Sequence, residues 1–212
     1  MTRDEIVTQI QLLLGFRTDQ RNTIIAQVNI QQRHLEHEVR WLKYPWFLLT
    51  EIATTASLVE DPRVQKPSDW IADTEEDGLY TIDAEGVEKA LQKTDFDILR
   101  KTYLNTDPGP PCHYATFGDY YYLGPTPDIA YTIRMCYYQQ DVLMVDGTDE
   151  NRWAKRAPNL LIGRTGLMLC GAGNNARQEM LGAIYKEAKD AIETKAFDDE
   201  VTNRQYAMGE NQ

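Results

Sequence analysis

TPDIAYTIRMCYYQQ at residues 126–140 and DGTDENRWAKRAPNLLIGRTGLMLCGAG at residues 146–173 form the stretch that decides the fold. In the first part, the odd positions from Tyr131 to Tyr137 are apolar or aromatic, and Thr132, Arg134 and Cys136 alternate with them. Because successive side chains of a strand point to opposite faces, this period of two predicts a half-buried strand.

The second part of the stretch predicts a turn followed by helices. Asp146-Gly147 is a turn pair, and Thr148, Asp149 and Asn151 offer side-chain oxygens to the free amides of a helix start. Pro158 suits the first turn of the next helical segment, where its missing N–H has no partner to lose. The apolar positions that follow have helical spacing and end before a glycine-rich stop; they are Leu160, Leu161, Leu167, Met168 and Cys170.

Helices are also predicted at both ends of the chain. Thr2 and Glu5 have the spacing of a capping box, and the helix that they begin ends at Gly15. A longer amphipathic helix is predicted over residues 18–42, and a last helix over 176–195. Residues 196–212 are polar and show no pattern, which predicts a tail that is disordered on its own.

The middle of the chain, residues 45–140, is β-prone and rich in turn residues, and it predicts about six strands. We therefore predict an α+β fold. An amphipathic helical bundle of N- and C-terminal helices carries an inserted, mainly antiparallel β module and a flexible C-terminal tail. The predicted domains are residues 1–43 with 149–195 (helical), 44–148 (β-rich) and 196–212 (arm).

Composition excludes several classes of function. A formal net charge of −11 disfavours nucleic-acid binding by general charge attraction, which needs Lys and Arg to neutralise phosphates. Residues 1–14 do not resemble a signal peptide, and no apolar run is long enough for a membrane span. The 3 cysteines are widely spaced and without a CxxC motif, which indicates free thiols in a reducing, cytosolic setting.

Candidate catalytic and metal sites are weak. His34 and His37 are three apart, whereas the zinc-protease motif needs histidines four apart with a glutamate between them. Cys112 and His113 are adjacent, so their side chains are expected on opposite faces of a strand, out of reach as a nucleophile and base. We predict no catalytic residue, no metal ligand and no cofactor.

Three other patterns have ordinary structural interpretations. The glycines of residues 171–173 follow a helix, not a strand, and so indicate a helix-ending turn. The acidic run at residues 73–77 is typical of a solvated loop, although with His113 it could serve an acid-based hydrolase. The tyrosines at 120–122, 131, 137 and 138 could stack on bases, but without a basic surface they favour sheet packing.

The order of the elements and several motifs carry a family resemblance over residues 2–195. The motifs are PWFLLTE (45–51), VQKPSDW (64–70), GLYTID (78–83), HYATFGDYYYLGPTPD (113–128), YTIRMCYYQ (131–139) and NRWAKRAPNLLIGRTGL (151–167). In this order, and after polar amphipathic helices, they resemble the head-to-tail adaptor (connector) proteins of tailed bacteriophages, the short-tailed, podovirus-like ones above all.

The resemblance implies a structural virion protein without enzymatic activity. Members form a ring, generally of 12 copies, that lies under the portal, extends the DNA channel and gives the tail its attachment platform. The implied partners are further copies of the chain, the portal protein, the tail, nozzle or fibre proteins, and double-stranded DNA that passes without specific binding. The implied location is the virion neck after synthesis in the host cytoplasm, with no membrane. The chain could instead be another neck or tail completion protein. An acid-based hydrolase is a further alternative to the adaptor function, and it is less favoured.

The resemblance also assigns interface candidates. Helices 18–42, 158–170 and 175–195 would form the ring wall, and residues 45–140 would project outward or down toward the next tail component. Residues 196–212 would form the portal-docking arm, with Phe197, Tyr206 and Met208 as its contacts. The candidate ring contacts are Arg33, Leu35, Arg164, Met168, Met180 and Ile184.

Overall fold

The computed structural model describes residues 1–15, 18–38, 48–56, 61–74, 78–83, 85–171 and 174–209, with the side chains of 54–56 and 195–209 left out. The chain forms two compact units. The first consists of Met1–Leu48 with Asp141–Gln212, and the second of Leu49–Gln140. The first contains helices, and the second contains the sheets and one short helix.

The described residues form helices and strands in the following order. The helices are α1 (Arg3–Leu13), α2 (Arg21–His37), α3 (Phe96–Thr102), α4 (Arg152–Arg156), α5 (Pro158–Leu169) and α6 (Asn175–Gly209). The strands are β1 (Leu49–Ala56), β2 (Arg63–Gln65), β3 (Trp70–Asp73), β4 (Leu79–Ile82), β5 (Glu88–Ala90), β6 (Gln92–Lys93), β7 (His113–Phe117), β8 (Tyr120–Gly124) and β9 (Tyr131–Gln139). The predicted α+β class is confirmed.

Helix α1 begins with the predicted capping box. The Thr2 hydroxyl accepts a hydrogen bond from the Glu5 amide at 3.3 Å, and the Glu5 carboxylate accepts one from the Thr2 amide at 2.9 Å. Two free amides of the helix start thereby gain partners. Ile6, Val7 and Ile10 are fully buried, so the apolar side of the helix faces the core of the first unit.

Helix α2 differs from the prediction at its start. A turn of 3-10 helix at Thr18–Gln20 precedes it, and the α-helix runs from Arg21 to His37. Residues 39–42 of the predicted helix lie outside the described residues. Ile24, Val28 and Leu35 are fully buried and form the apolar stripe of this predicted amphipathic helix.

Helices α5 and α6 pack closely because α5 presents two glycines. A Cβ on Gly163 would lie 2.8 Å from the Tyr185 backbone nitrogen, and one on Gly166 would lie 2.6 Å from Leu181 Cδ2. Pro158 occupies the first turn of α5, as predicted. The backbone of α6 stays helical to Gly209, beyond the predicted end near Lys195, since no Gly or Pro interrupts residues 183–208.

The second unit contains two sheets. The first has the strand order β1-β9-β4-β5, with β3 also paired to β9. The second has the order β2-β8-β7-β6, in which only the β6–β7 pair is parallel among the described pairings. Our estimate of about six strands was too low, because β3 and β6 are short and lack an alternating apolar pattern.

Strand β9 lies at the centre of the first sheet, as the opening stretch indicates. Tyr131, Ile133, Met135 and Tyr137 are buried, whereas the alternating positions are half-buried. The side chains of β9 meet Tyr114, Tyr121 and Leu123 of the second sheet in one apolar core. The predicted hairpin of β7 and β8 is confirmed, with Gly118 at a positive φ in its turn.

Candidate functional site

A buried carboxylate of the first unit contacts the chain at residue 141, where the chain returns to that unit. Glu36 of α2 is 1% exposed. Its Oε1 accepts hydrogen bonds from the Trp153 indole at 3.1 Å, the Gln32 amide at 3.0 Å and the Asp141 backbone N–H at 3.2 Å. Its Oε2 lies 2.6 Å from the Arg33 guanidinium. These contacts connect residues more than 100 positions apart into one polar cluster.

Asp141 continues this cluster into helix α4. Its Oδ2 accepts a hydrogen bond from the Arg152 backbone N–H at 2.6 Å, which is a favourable place for a negative charge because the first amides of a helix lack partners. Asn151 caps α4 through the Ala154 amide, as predicted, and donates to the Val142 carbonyl at 2.8 Å. The cluster therefore fixes both the start of α4 and the segment before it.

The segment 142–145 exposes apolar side chains although its backbone is held in place. Val142 and Val145 are 70% and 73% exposed. Asn151 and Gln32 donate to the Val142 carbonyl, Asn29 donates to that of Met144, and Arg3 donates to that of Val145. Since the hydrogen bonds fix the backbone, the two valines form a rigid apolar edge, and partner binding would cost little additional ordering.

Arg164 of α5 joins three helices of the first unit. It contacts both carboxylate oxygens of Glu38, donates to Gln31 at 2.9 Å, and lies 3.3 Å from the Tyr185 hydroxyl. The hydrogen bond from Arg164 lowers the pKa of Glu38 despite the partial burial of the carboxylate. The pair fixes the end of α2 against α5 and α6.

A cleft of about 540 Å³ lies between α1, α5 and α6. Apolar side chains make up most of its walls. The lining residues are Met1, Gln9, Leu13, Asn159, Ile162, Ile184, Glu187, Ala188 and Ala191. A mainly apolar cleft between helices is suited to bind an apolar edge of another polypeptide.

The candidate ring contacts fall into three groups. Met168 and Met180 are 64% and 41% exposed, so both are accessible to a partner. Ile184 is half-buried in the cleft, and Arg33 and Arg164 are half-buried in contacts within the unit. Leu35 is fully buried inside the unit and therefore does not lie on the surface. Phe197, Tyr206 and Met208 lie outside the described side chains.

The Cys112–His113 pair does not have the geometry that we predicted. Cys112 Sγ lies 3.0 Å from His113 Nδ1, and His113 Nε2 lies 3.3 Å from the Tyr103 hydroxyl. The prediction that the side chains would point apart was wrong, because Cys112 precedes β7 and strand alternation does not apply to it. Burial raises the pKa of the Cys112 thiol, which favours the protonated and less nucleophilic form at neutral pH.

Asp73, the first residue of the acidic run, is held by hydrogen bonds within the second unit. Its carboxylate accepts hydrogen bonds from Tyr121, Trp70, Thr116 and Lys93 at 2.6 to 3.2 Å. Burial raises the pKa of Asp73, but the hydrogen bonds from Tyr121, Lys93 and Trp70, together with the Lys93 charge, outweigh burial and leave the pKa lowered. Residues 75–77 lie outside the described residues. In the described part of the chain, no group of three or more His, Cys, Asp or Glu is placed to hold a metal ion.

Comparison with protein families identifies the class to which this two-unit chain belongs. The family model of the SU10 adaptor protein matches residues 1–209. The chain belongs to the SU10 adaptor protein family. This is a family of structural bacteriophage adaptors, so the broad part of the predicted resemblance is confirmed. No curated protein matches the chain.

Membership in the SU10 adaptor protein family directs attention to surfaces rather than to a catalytic centre. Within the described ranges, no helix is long and apolar enough to cross a membrane.

The Glu36 cluster and the exposed edge of residues 142–145 were not predicted from the sequence. The only available signal was Gln32, a polar residue on the apolar stripe of α2, which is fully buried in the structure.

Proposed function

We propose that this SU10-family protein is a head-to-tail adaptor of a short-tailed phage that forms a ring under the portal, extends the DNA channel and provides the platform for the tail. The family match over residues 1–209 is the observation that carries this proposal. The ring contains 12 copies, lies in the virion neck, and contacts the portal on one side and nozzle or fibre proteins on the other.

The helical unit suits the ring wall. The glycine contacts of α5 hold it against α6, and the Arg164–Glu38 pair joins α5 to the end of α2. A closed ring repeats one contact with the same geometry at every copy, and a well-packed helical unit can supply such a contact. We assign the contact with the next tail component to the β unit, residues 49–140.

The charge of the chain suits a channel for DNA. With a formal net charge of −11 per copy, the copies of a ring together repel the phosphate backbone. DNA therefore slides through without specific binding. The same charge disfavours a role in which DNA is held tightly.

The end of α6 suits the portal-docking arm. The helix has 35 residues, whereas its neighbour α5 has 12. At about 1.5 Å per residue, α6 is longer than α5 by roughly 35 Å. We assign the arm to residues 196–212, with Phe197, Tyr206 and Met208 as its apolar contacts.

The chemistry of the candidate catalytic groups favours a structural role over a hydrolase. Asp73 is surrounded by donors that keep it ionised, whereas a general acid needs a raised pKa. The thiol of Cys112 has a raised pKa, the opposite of an activated nucleophile.

The test of this function is capture on purified portal rings of the same phage. The full chain is expected to bind, and a chain ending at residue 195 is expected to lose binding while it keeps the thermal transition of the folded protein. Portal rings that capture neither chain would contradict the adaptor function. Equal capture of both chains would contradict the assignment of the arm.

A further inference from the structure

Strand β1 forms an edge of the first sheet, and within the described ranges no further strand pairs with it on its outer side. The strand order is β1-β9-β4-β5, so β1 lies at one edge of the sheet and β5 at the other. Strand β1 has 8 residues, and all of them pair with β9 in one continuous register. Its side away from β9 therefore presents backbone donors and acceptors that can bind a further strand.

The pairing register shows which backbone groups of β1 face outward. The Cys136 amide donates to the Gly78 carbonyl at 2.8 Å, so it points to the β4 side of β9 and away from β1. Glu51 lies opposite Cys136. Opposite residues of an antiparallel pair either bond each other through both backbone groups or both point away. The backbone groups of Glu51 therefore face away from β9, and those of Leu49 and Ala53 do the same because strand residues alternate. We call these three residues the open edge.

The side chains of the open edge lie on the face of the sheet opposite the core. Leu49 is 47% exposed, and Glu51 and Ala53 are exposed as well. Ile52, which alternates with them, packs against the core instead. Residues 48–56 contain no Pro or Lys, the residues that commonly keep a strand edge from pairing. The open edge therefore lacks this usual protection against an added strand.

The charges beside the open edge favour a basic partner. Arg134 of β9 lies 3.1 Å from Glu51 and 2.8 Å from Glu88, so two carboxylates share one guanidinium. The three side chains together keep a negative charge. Opposite charges on neighbouring strands stabilise a sheet, whereas like charges directly opposite destabilise it. A strand that carries Lys or Arg beside Glu51 therefore fits this edge best.

A second copy of the chain fits the open edge less well. The other edge of the sheet, β5, has 3 residues and would bring its Glu88 toward Glu51 of the neighbouring copy. Pairing β1 with β1 of another copy would form a two-fold dimer, and such a contact cannot repeat from copy to copy around a ring. The strand that fits is therefore supplied by a different protein.

We propose that the open edge of β1 binds an extended strand of the next tail component, the nozzle protein, with Lys or Arg of that strand beside Glu51. Main-chain hydrogen bonds supply the affinity, and the side chains beside Leu49, Glu51 and Ala53 select the sequence. This inference rests on the proposed function, in which the β unit contacts the tail. It names the surface of that contact and the kind of segment that binds there.

The test follows hydrogen exchange at single amides of the full chain on portal rings, before and after addition of the purified nozzle protein of the same phage. The amides of Glu51 and Ala53 should exchange fast on the rings, and at least about tenfold more slowly once the nozzle protein is bound. The amides of Thr50 and Ile52 bond to β9 and should exchange slowly in both states. This alternation distinguishes strand addition from a general tightening of the unit.

Two proline substitutions provide a matched pair of variants. Ala53→Pro removes an outward N–H and no hydrogen bond to β9, since proline is tolerated where an edge strand faces solvent. Its binding to the nozzle protein should fall by more than about tenfold. Ala90→Pro is the control on β5, where Leu91 and not Ala90 donates to the Leu79 carbonyl of β4. The control should bind normally, and both variants should keep the thermal transition of the wild type.

A third variant tests the charge without a change in the backbone. Glu51→Lys should weaken binding about twofold to fivefold, because it places a like charge beside the basic residue of the added strand. Binding that is unchanged by this substitution would overturn the basic character of the partner. If Ala53→Pro loses its thermal transition, the exchange of Glu51 and Ala53 in the wild type still decides the proposal.

The remaining outcomes separate this inference from the proposed function. Nozzle binding that leaves the Glu51 and Ala53 amides unprotected, or a folded Ala53→Pro that binds like the control, would overturn the inference alone. Protection of these amides on portal rings before nozzle protein is added would show that another chain covers the edge, and would also overturn it. Wild-type rings that do not bind the nozzle protein would overturn both the inference and the proposed tail platform.

Discussion

The guanidinium of Arg164 and the carboxylate of Glu38 form a two-pronged ion pair, with Arg164 Nη2 at 2.6 Å from Glu38 Oε1. The pair joins the end of α2 to α5, and Tyr185 of α6 lies beside it. Because the hydrogen bond from Arg164 lowers the pKa of Glu38, the ionised carboxylate is more stable in the folded protein than in the unfolded chain.

Replacing Glu38 by Gln should therefore destabilise the protein in a pH-dependent way. A lowered carboxyl pKa contributes stability above the ordinary value of 4.5, and this stability is lost as the pH falls through the folded-state pKa. The pair is partly exposed, so the expected loss at pH 7 is about 1 kcal/mol at most.

The measurement is chemical denaturation of wild type and Glu38→Gln at several pH values. The difference in unfolding free energy should be constant from pH 7 to pH 5 and shrink below the ordinary pKa of 4.5. A difference that grows in acid would contradict the assigned direction of the shift.

Replacing Gly163 by Ala should weaken the packing of α5 on α6. The added Cβ would lie 2.8 to 2.9 Å from the backbone nitrogen and Cα of Tyr185. These are backbone atoms, which cannot move aside as the end of a flexible side chain could. Overpacking of this kind costs about 1–3 kcal/mol. Thermal unfolding of the purified variant should show a lower midpoint.

Gly182 provides the control for this substitution. It lies in α6, and a Cβ there meets nothing within 4 Å. Gly182→Ala should leave stability unchanged or raise it by about 0.4–1 kcal/mol, because alanine restricts the unfolded chain. Equal effects of the two substitutions would show that α5 and α6 do not pack as closely as described.

Replacing Glu36 by Ala should destabilise the helical unit more strongly than either change above. The substitution removes the acceptor of Trp153, Gln32 and the Asp141 amide at once. Gln32 keeps the Val142 carbonyl as an acceptor, so two buried donors, the Trp153 indole and the Asp141 amide, lose this partner. Each such donor costs about 1–3 kcal/mol, so the expected loss is about 2–6 kcal/mol. Glu36→Gln should cost less, because its remaining oxygen can still accept these hydrogen bonds.

The readout is urea denaturation followed by Trp fluorescence, with the exposed Glu85→Ala as the control. The control should not differ from wild type by more than about 0.5 kcal/mol. If Glu36→Ala were as stable as the control, the cluster would not anchor the return of the chain at residue 141.

The central strand and the helix caps could be predicted from sequence because their determinants are local. Alternation at residues 131–137 predicts the buried side of β9, and Asn151 and Pro158 predict the starts of α4 and α5. Strands β3 and β6 were not predicted, since their few residues are paired by distant partners such as β9 and β7.

The buried polar cluster could not be predicted for a similar reason. Glu36 resembles any solvated acid of an amphipathic helix until Asp141 and Trp153 are placed beside it by the fold. The Cys112–His113 contact was not predicted because β7 begins at His113. Cys112 therefore lies outside the strand, and the alternation of side chains does not apply to it. Surfaces such as the exposed Val142 and Val145 have no sequence motif at all.

The Cys112 thiol should react slowly at neutral pH although the residue is exposed. The thiol is nevertheless partly covered by neighbouring atoms, which raises its pKa above the ordinary value of 9.0, so the thiolate is scarce at pH 7. The rate of iodoacetamide labelling, followed at Cys112 by peptide mass spectrometry, should keep rising above pH 9. A rate that is already maximal near pH 7 would indicate an activated thiol and would favour an enzyme.

Sedimentation velocity of the wild-type chain, alone and mixed with purified portal rings, tests the adaptor account most directly. The account predicts that the chain co-sediments with the portal as a single larger species, with several copies bound to each portal ring. A chain that sediments as a slow monomer at every portal concentration would contradict it.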